Sequence, residues 1–174
     1  MYCTVNKNVL REERNYNVKK KYWKFLLIFM TIIIILTMGL KFHGSLSQAL
    51  EQRTDFIHNI QMGGNRIAFS LASLRYYISY ITEPFAFFNI LGNIGPFAIL
   101  SFLAYGTFFN QKIVYSCLYC SFVGIGIELF QYFMWFGAFD ISDIFLRFIG
   151  ILTGMLIHMA VVYLYFPSAS VWGS

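Results

Sequence analysis

The sequence predicts an all-α fold: an integral membrane helical bundle of four transmembrane helices with an amphipathic segment on its outer face. Three observations carry that prediction. Of the 174 residues, 58% are hydrophobic and only 12% charged, and mean hydropathy is +0.61, where a soluble domain carries about 25% charged residues. Apolar runs of roughly twenty residues, enough for a helix to cross about 30 Å of hydrocarbon, recur along the chain. The cations are also unevenly placed. Lys7, Arg11, Arg14, Lys19, Lys20, Lys21 and Lys24 crowd the start of the first run, opposed only by Glu12 and Glu13. The net charge of +5 is therefore local. It reads as a positive-inside topology signal compatible with contact to anionic lipid, and it excludes nucleic acid as the partner.

Residues 1–21 form a cytoplasmic basic segment, and 22–40 the first span, with Tyr22 and Trp23 at its inner edge. The basic region is long and small residues are sparse at a cleavage distance, so the span reads as a signal anchor rather than a cleaved signal peptide. Residues 41–84 then lie outside. Leu46, Leu50, Ile57 and Ile60 recur at helical spacing, and Ile67, Leu71, Leu74, Ile78 and Ile81 do so more clearly. The second set predicts an amphipathic interfacial helix over 66–81, with Arg66 and Arg75 near head groups. Gln61-Met62-Gly63-Gly64-Asn65 is the break between the two sets. The second span is 85–109, the third 113–136 and the fourth 144–166. Asn110-Gln111-Lys112 makes an inner turn, residues 137–143 an outer turn, and 167–174 a cytoplasmic tail. Both termini are thus expected in the cytoplasm. Cys3, Cys117 and Cys120 give no disulfide framework, and the C-x-x-C pair sits in an apolar helix as small packing residues.

Polar and small residues form one stripe on each of the last three spans. Asn89, Asn93 and Pro96, with Gly92 beside them, mark the second. Cys117, Ser121, Gly124, Glu128, Gln131 and Trp135 mark the third, and Asp143, Arg147, Gly150, Gly154 and His158 the fourth. Residues spaced by three and four share a helix face. Small residues let membrane helices approach, so Gly92, Gly124, Gly150 and Gly154 are expected to pack helices together. Ionisable groups are costly in hydrocarbon unless they face one another or water. Asn89, Asn93, Glu128, Gln131, Asp140, Asp143 and Arg147 therefore predict a polar intramembrane column descending from the outer face. Structural readings stand beside that one. Asp140 can cap the fourth helix with Asp143 as its capping-box partner. Asp143 and Arg147, four residues apart, can pair locally. Glu128 can lock the bundle by bonding Asn93. His158 is expected as a packed or snorkelling histidine.

Several of these residues carry a family resemblance. They are Asn89-Ile90-Leu91-Gly92-Asn93 with Pro96, Glu128-Leu129-Phe130-Gln131, Phe139-Asp140-Ile141-Ser142-Asp143, and Gly150 with Gly154. Asn65-Arg66-Ile67-Ala68-Phe69 adds a further match. In order and spacing these segments resemble the VanZ family over about residues 65–160. The departures are Gly137 and Arg147, where the resemblance leads one to expect Arg and Asn, Ser142 for an Asp, and Ala68 for a Pro. Arg147 is one candidate to replace the positive charge missing at 137. The resemblance implies glycopeptide resistance, mainly to teicoplanin, without an established chemistry.

Two function classes follow. One is a non-enzymatic membrane protein protecting the envelope at the outer leaflet. Its partners would be the lipid bilayer and a lipid-linked cell-wall precursor or lipoglycopeptide, as a monomer or an oligomer. The other is a membrane-embedded enzyme acting on a lipid-linked substrate, with Glu128, Asp140 and Asp143 as candidate catalytic carboxyls. The sequence holds no H-E-x-x-H and no Gly-rich phosphate loop, which favours the first class. No resident cofactor is expected, although Asp140 and Asp143 are a candidate pair for a divalent cation.

Overall fold

The computed structural model describes residues 7–41, 45–108 and 113–165, with side chains described over 21–41, 45–108 and 113–164. It is almost wholly helical. Helix α1 runs Lys7–Gly39, α2 Leu46–Gln61, α3 Ala72–Ser79, α4 Pro84–Phe108, α5 Ile113–Phe133 and α6 Ile141–Tyr165. Two short strands, β1 (Ile67–Ala68) and β2 (Phe139–Asp140), pair in parallel, with Ile67 opposite Phe139 and Ala68 opposite Asp140. Four helices are long and apolar enough to span a membrane, over Lys21–Gly39, Pro84–Phe108, Ile113–Phe133 and Ile141–Leu164. The expected inner turn at Asn110-Gln111-Lys112 and the tail at 167–174 lie outside the described residues.

The span ends differ from the sequence expectation where tertiary contacts overrule periodicity. α5 stops at Phe133 instead of 136, and Trp135 adopts φ +62, a left-handed conformation incompatible with continuing the helix. α6 starts at Ile141 instead of 144, because Phe139 and Asp140 are drawn into the strand pair. α4 opens on Pro84, which suits the first helical position because its missing N–H would have no intrahelical partner.

The segment between the first two spans is also more divided than a single interfacial helix over 66–81. Ile67 lies in β1, and only Ala72–Ser79 is helical. α2 forms as its apolar spacing suggests, with Ser45 Oγ accepting from Gln48 N–H at 3.2 Å as an N-cap. It ends at the expected break, where Gly63 has φ +98.

The core lies between the spans. Leu27 and Ile34 of α1, Phe97, Leu100 and Ala104 of α4, Cys120 and Ile127 of α5, and Ile151 and Met155 of α6 form one buried cluster. Helices α4 and α6 make the most extensive pairing. The reason is steric. A Cβ on Gly150 would run into the carbonyl of Ile94, and one on Gly154 into the carbonyl of Ala98 and the hydroxyl of Ser101. Glycine alone permits that backbone approach. Gly124 faces Phe97 and Arg147, but a Cβ on Gly92 would meet nothing within 4 Å. Gly92 therefore meets no neighbouring helix among the described residues, contrary to the stripe argument. α1 is tied in by Thr31 Oγ1 and Tyr119 OH, 2.6 Å apart.

His158 is packed, ringed by Trp23, Phe102 and Tyr105. α1 and α5 finish, and α4 and α6 begin, at one end of the bundle, where α3 and the strand pair are also attached. We refer to it as the capped end.

Candidate functional site

The polar column is built from the capped end inward. Glu128 on α5 and Arg147 on α6 are fully enclosed, at 0% and 2% exposure, and their side chains meet at 2.5 Å. The guanidinium spends its other donors locally. Nη1 donates to the Gly124 carbonyl at 2.8 Å and Nε to Asn93 Oδ1 at 3.0 Å. Asn93 on α4 in turn donates from Nδ2 to Asp143 Oδ1 at 3.2 Å and to the Asn89 carbonyl at 3.1 Å. One network thus joins α4, α5 and α6. A buried charge pair of this kind holds only when its remaining polar atoms are also bonded.

This arrangement differs from two of the expectations. Arg147 reaches across to Glu128 rather than pairing with Asp143 on its own helix. Glu128 does not bond Asn93 directly, because the guanidinium stands between them. Gly124 lies beside this crossing, where a Cβ would stand in ordinary contact with Arg147 Cδ at 3.6 Å and more tightly against Phe97 at 3.3 Å.

Asp140 is the second hub. Its Oδ1 accepts from Ser142 N–H at 2.8 Å, the geometry of an N-cap on α6. The reciprocal half of a capping box would come from Asp143, three residues on. Here Glu128 supplies it instead, its Oε2 accepting from Asp140 N–H at 3.0 Å. Asp140 Oδ2 accepts from Ser73 Oγ at 2.6 Å, and Leu74 N–H donates to Ser142 Oγ at 3.3 Å. α3 is therefore strapped onto the start of α6. Tyr77 on the same strap stands near both aspartates. Burial, then Asp143 and Asp140, push its hydroxyl up to about 12, so it stays neutral beside them.

The other expected site residues are placed as follows. Gln131 is buried and donates from Nε2 to the Met38 carbonyl at 2.7 Å, satisfying a carbonyl at the end of α1. Asn89 turns back onto its own helix, donating to the Phe85 carbonyl at 2.8 Å, and contributes only its main-chain oxygen to the network. Arg66 is packed against the end of α5. It donates from Nη2 to the Tyr132 carbonyl at 2.7 Å and stacks 3.7 Å above the Trp135 ring.

The positive charge absent at Gly137 is met by a residue the sequence reading passed over. Lys41 Nζ lies 2.6 Å from where a Cβ at 137 would stand. Arg147, the earlier candidate for that replacement, is committed to Glu128. Ser73, Tyr77 and Lys41 carried no motif; membership of the connection between the first two spans was their one signal. Among the described residues, no group of three or more His, Cys, Asp or Glu side chains is arranged to hold a metal ion.

No curated protein and no solved structure matches the chain at a significant level. A family model described as VanZ/LLP1 does match, over residues 23–163. That range takes in all four candidate spans almost completely and every residue of the polar network. A chain matched over most of its length, with the column and its strap inside the match, belongs to the VanZ/LLP1 family.

Proposed function

We propose that this multi-pass membrane protein protects the cell envelope against teicoplanin-type glycopeptides by binding rather than by catalysis. The capped end faces outward and both termini are cytoplasmic. The family membership supports the resistance role, and the basic block before the first span supports the orientation. One observation carries the non-enzymatic reading: Glu128 and Asp140, two of the three candidate carboxyls, have both oxygens engaged within the protein, and Asp143 accepts from Asn93 through Oδ1. Glu128 meets Arg147 through Oε1 and Asp140 N–H through Oε2. Asp140 accepts from Ser142 and Ser73 on its two oxygens. A general acid or base needs an oxygen within reach of substrate, and here those oxygens hold helices together. The column then acts as a rigid support for a surface at the outer leaflet. There the acyl chain of a lipoglycopeptide, or a lipid-linked wall precursor, would be met.

The alternative is an enzyme acting on a lipid-linked substrate through Glu128, Asp140 and Asp143, with a divalent cation at the two aspartates. It requires these bonds to open. The test expresses the chain and its Glu128→Gln and Asp143→Asn variants at matched membrane levels in a susceptible host. Teicoplanin and vancomycin susceptibility and the lipid-linked precursors are measured together. Protection with unchanged precursors is the expected result. A precursor change that vanishes in the variants would replace this reading with the enzymatic one, and no protection by the parent chain would end it.

A further inference from the structure

Beside the polar column, three cations well separated in the sequence converge on residues 132–137. Arg53 of α2 donates from Nε to the Met134 carbonyl at 3.0 Å and lies 5.9 Å above the Phe136 ring. Arg66, just before β1, bonds the Tyr132 carbonyl and lies 4.3 Å above Tyr132 and 3.7 Å above Trp135. Lys41, just past α1, extends over Gly137. Its backbone is left-handed at φ +47, a conformation that non-glycine residues adopt sparingly. All three cations are half-buried.

Like charges gathered on one short turn repel, and more so where solvent is partly excluded. The polar column does not neutralise them all. Among the described residues neither Arg53 nor Arg66 forms an ion pair, and the buried Nε of Arg66 has no hydrogen-bond partner. Aromatic rings lie beneath both guanidinium groups. Planar guanidinium groups suit the oxygens of a phosphate, which they can bind two at a time. The surroundings are those of a membrane surface. Phe133, Met134 and Met62 are exposed next to the collar, and tyrosine and tryptophan rings at bilayer level belong to the head-group region.

We infer that Lys41, Arg53 and Arg66 form a collar that binds a phosphate-bearing anionic head group at the capped end of the bundle. The inference does not depend on the proposed function. It uses none of the column's carboxylates and holds whichever side of the membrane the capped end faces.

The full chain is reconstituted in nanodiscs of phosphatidylcholine doped with phosphatidylglycerol. Native mass spectrometry then reads which lipid stays bound. The expected result is preferential retention of phosphatidylglycerol, falling about fivefold for each collar cation removed in Lys41→Gln, Arg53→Gln and Arg66→Gln. Arg75→Gln removes an exposed cation from α3 and is expected to leave the preference intact. Adding inorganic phosphate separates the sources. Retained lipid identifies a lipid head group, and displaced lipid shows the same anion site accepting soluble phosphate; both support the collar. Equal retention of the two lipids by the parent chain would overturn the proposal. So would a preference that survives all three substitutions, or an equal loss in Arg75→Gln. If the triple variant does not fold, Arg53→Gln alone decides, since α2 lies outside the spanning helices: an unchanged preference would overturn the collar.

Discussion

The Glu128–Arg147 pair sets the sharpest test of how the bundle is held. Glu128→Gln leaves the guanidinium buried at 2% exposure among neutral acceptors, Gly124 O, Asn93 Oδ1 and the new amide oxygen, with Asp143 as the remaining carboxylate, reached through Asn93. Removing one member of a buried pair costs about 3–5 kcal/mol, mostly because the surviving charge stays desolvated. Arg147→Met strands the carboxylate in the same way and also frees Asn93 Oδ1. The double variant carries neither charge, and replacing a whole buried pair is often close to neutral. Each single variant is therefore expected to lose about 3–5 kcal/mol and the double no more than about one single, a coupling of at least about 3 kcal/mol in magnitude. The assay is reversible unfolding in mixed micelles, followed by circular dichroism. By the scaling for domains of this size, each single variant would also melt roughly 10 °C lower. If the single variants lose less than about 1 kcal/mol each and the losses add, the pair does not hold the bundle.

Other features give independent expectations. Gly154→Ala drives a methyl group into the Ala98 carbonyl and the Ser101 hydroxyl; it should cost about 2–3 kcal/mol in the same micelle assay, while Gly92→Ala, with open space around it, stays within about 0.5 kcal/mol. Tyr77 is raised to about 12 from an ordinary value of 10, so the unfolded chain loses the phenolic proton before the folded one does. Its contribution is whole below pH 10 and is lost as pH rises through 12; Tyr77→Phe should flatten that part of the alkaline unfolding profile. A cysteine at Met62, 77% exposed beyond α2, is expected to be labelled from outside intact cells. Labelling only after permeabilisation would invert the orientation. Gly137 is a poor position for that probe because it is buried beneath Lys41.

The spans were legible because a bilayer imposes length and apolarity together, and few other structures do so. The polar stripes were legible because charge in hydrocarbon must be compensated. Which partner compensates was not. Arg147 has an acid four residues away on its own helix, and that local pairing satisfies every sequence rule. The choice of Glu128 is made by tertiary packing, which holds the guanidinium between Gly124 O on α5 and Asn93 on α4. The end of α5 was hidden for a different reason. Trp135 has no intrinsic preference for φ +62, and the stacked Arg66 and the bond from Phe136 N–H to the Gln131 carbonyl accompany the turn there. A strand of two residues is likewise too short for an alternating pattern to appear. Gly92 shows the reverse error: a glycine in the right register with open space at its Cβ position among the described residues.

Asp140 offers the cleanest separation of structural from chemical roles, because two substitutions divide them. Its Oδ1 caps α6 through Ser142 N–H, and its Oδ2 receives the Ser73 hydroxyl. Asp140→Asn keeps the capping oxygen. The new amide then faces Ser73, whose hydroxyl can reverse and accept. Asparagine is also as good an N-cap as aspartate, so the cost should stay under about 1 kcal/mol. Asp140→Ala removes the cap and one of the two bonds of the strap, at about 1–2 kcal/mol for the cap alone, and hydrogen exchange over 72–79 should accelerate. If the column is architectural, protection survives Asp140→Asn and fails in Asp140→Ala. Loss of protection in both variants, with Asp140→Asn still folded, would mean that the acid itself is required. The binding reading would then give way to a catalytic or cation-holding role for this residue.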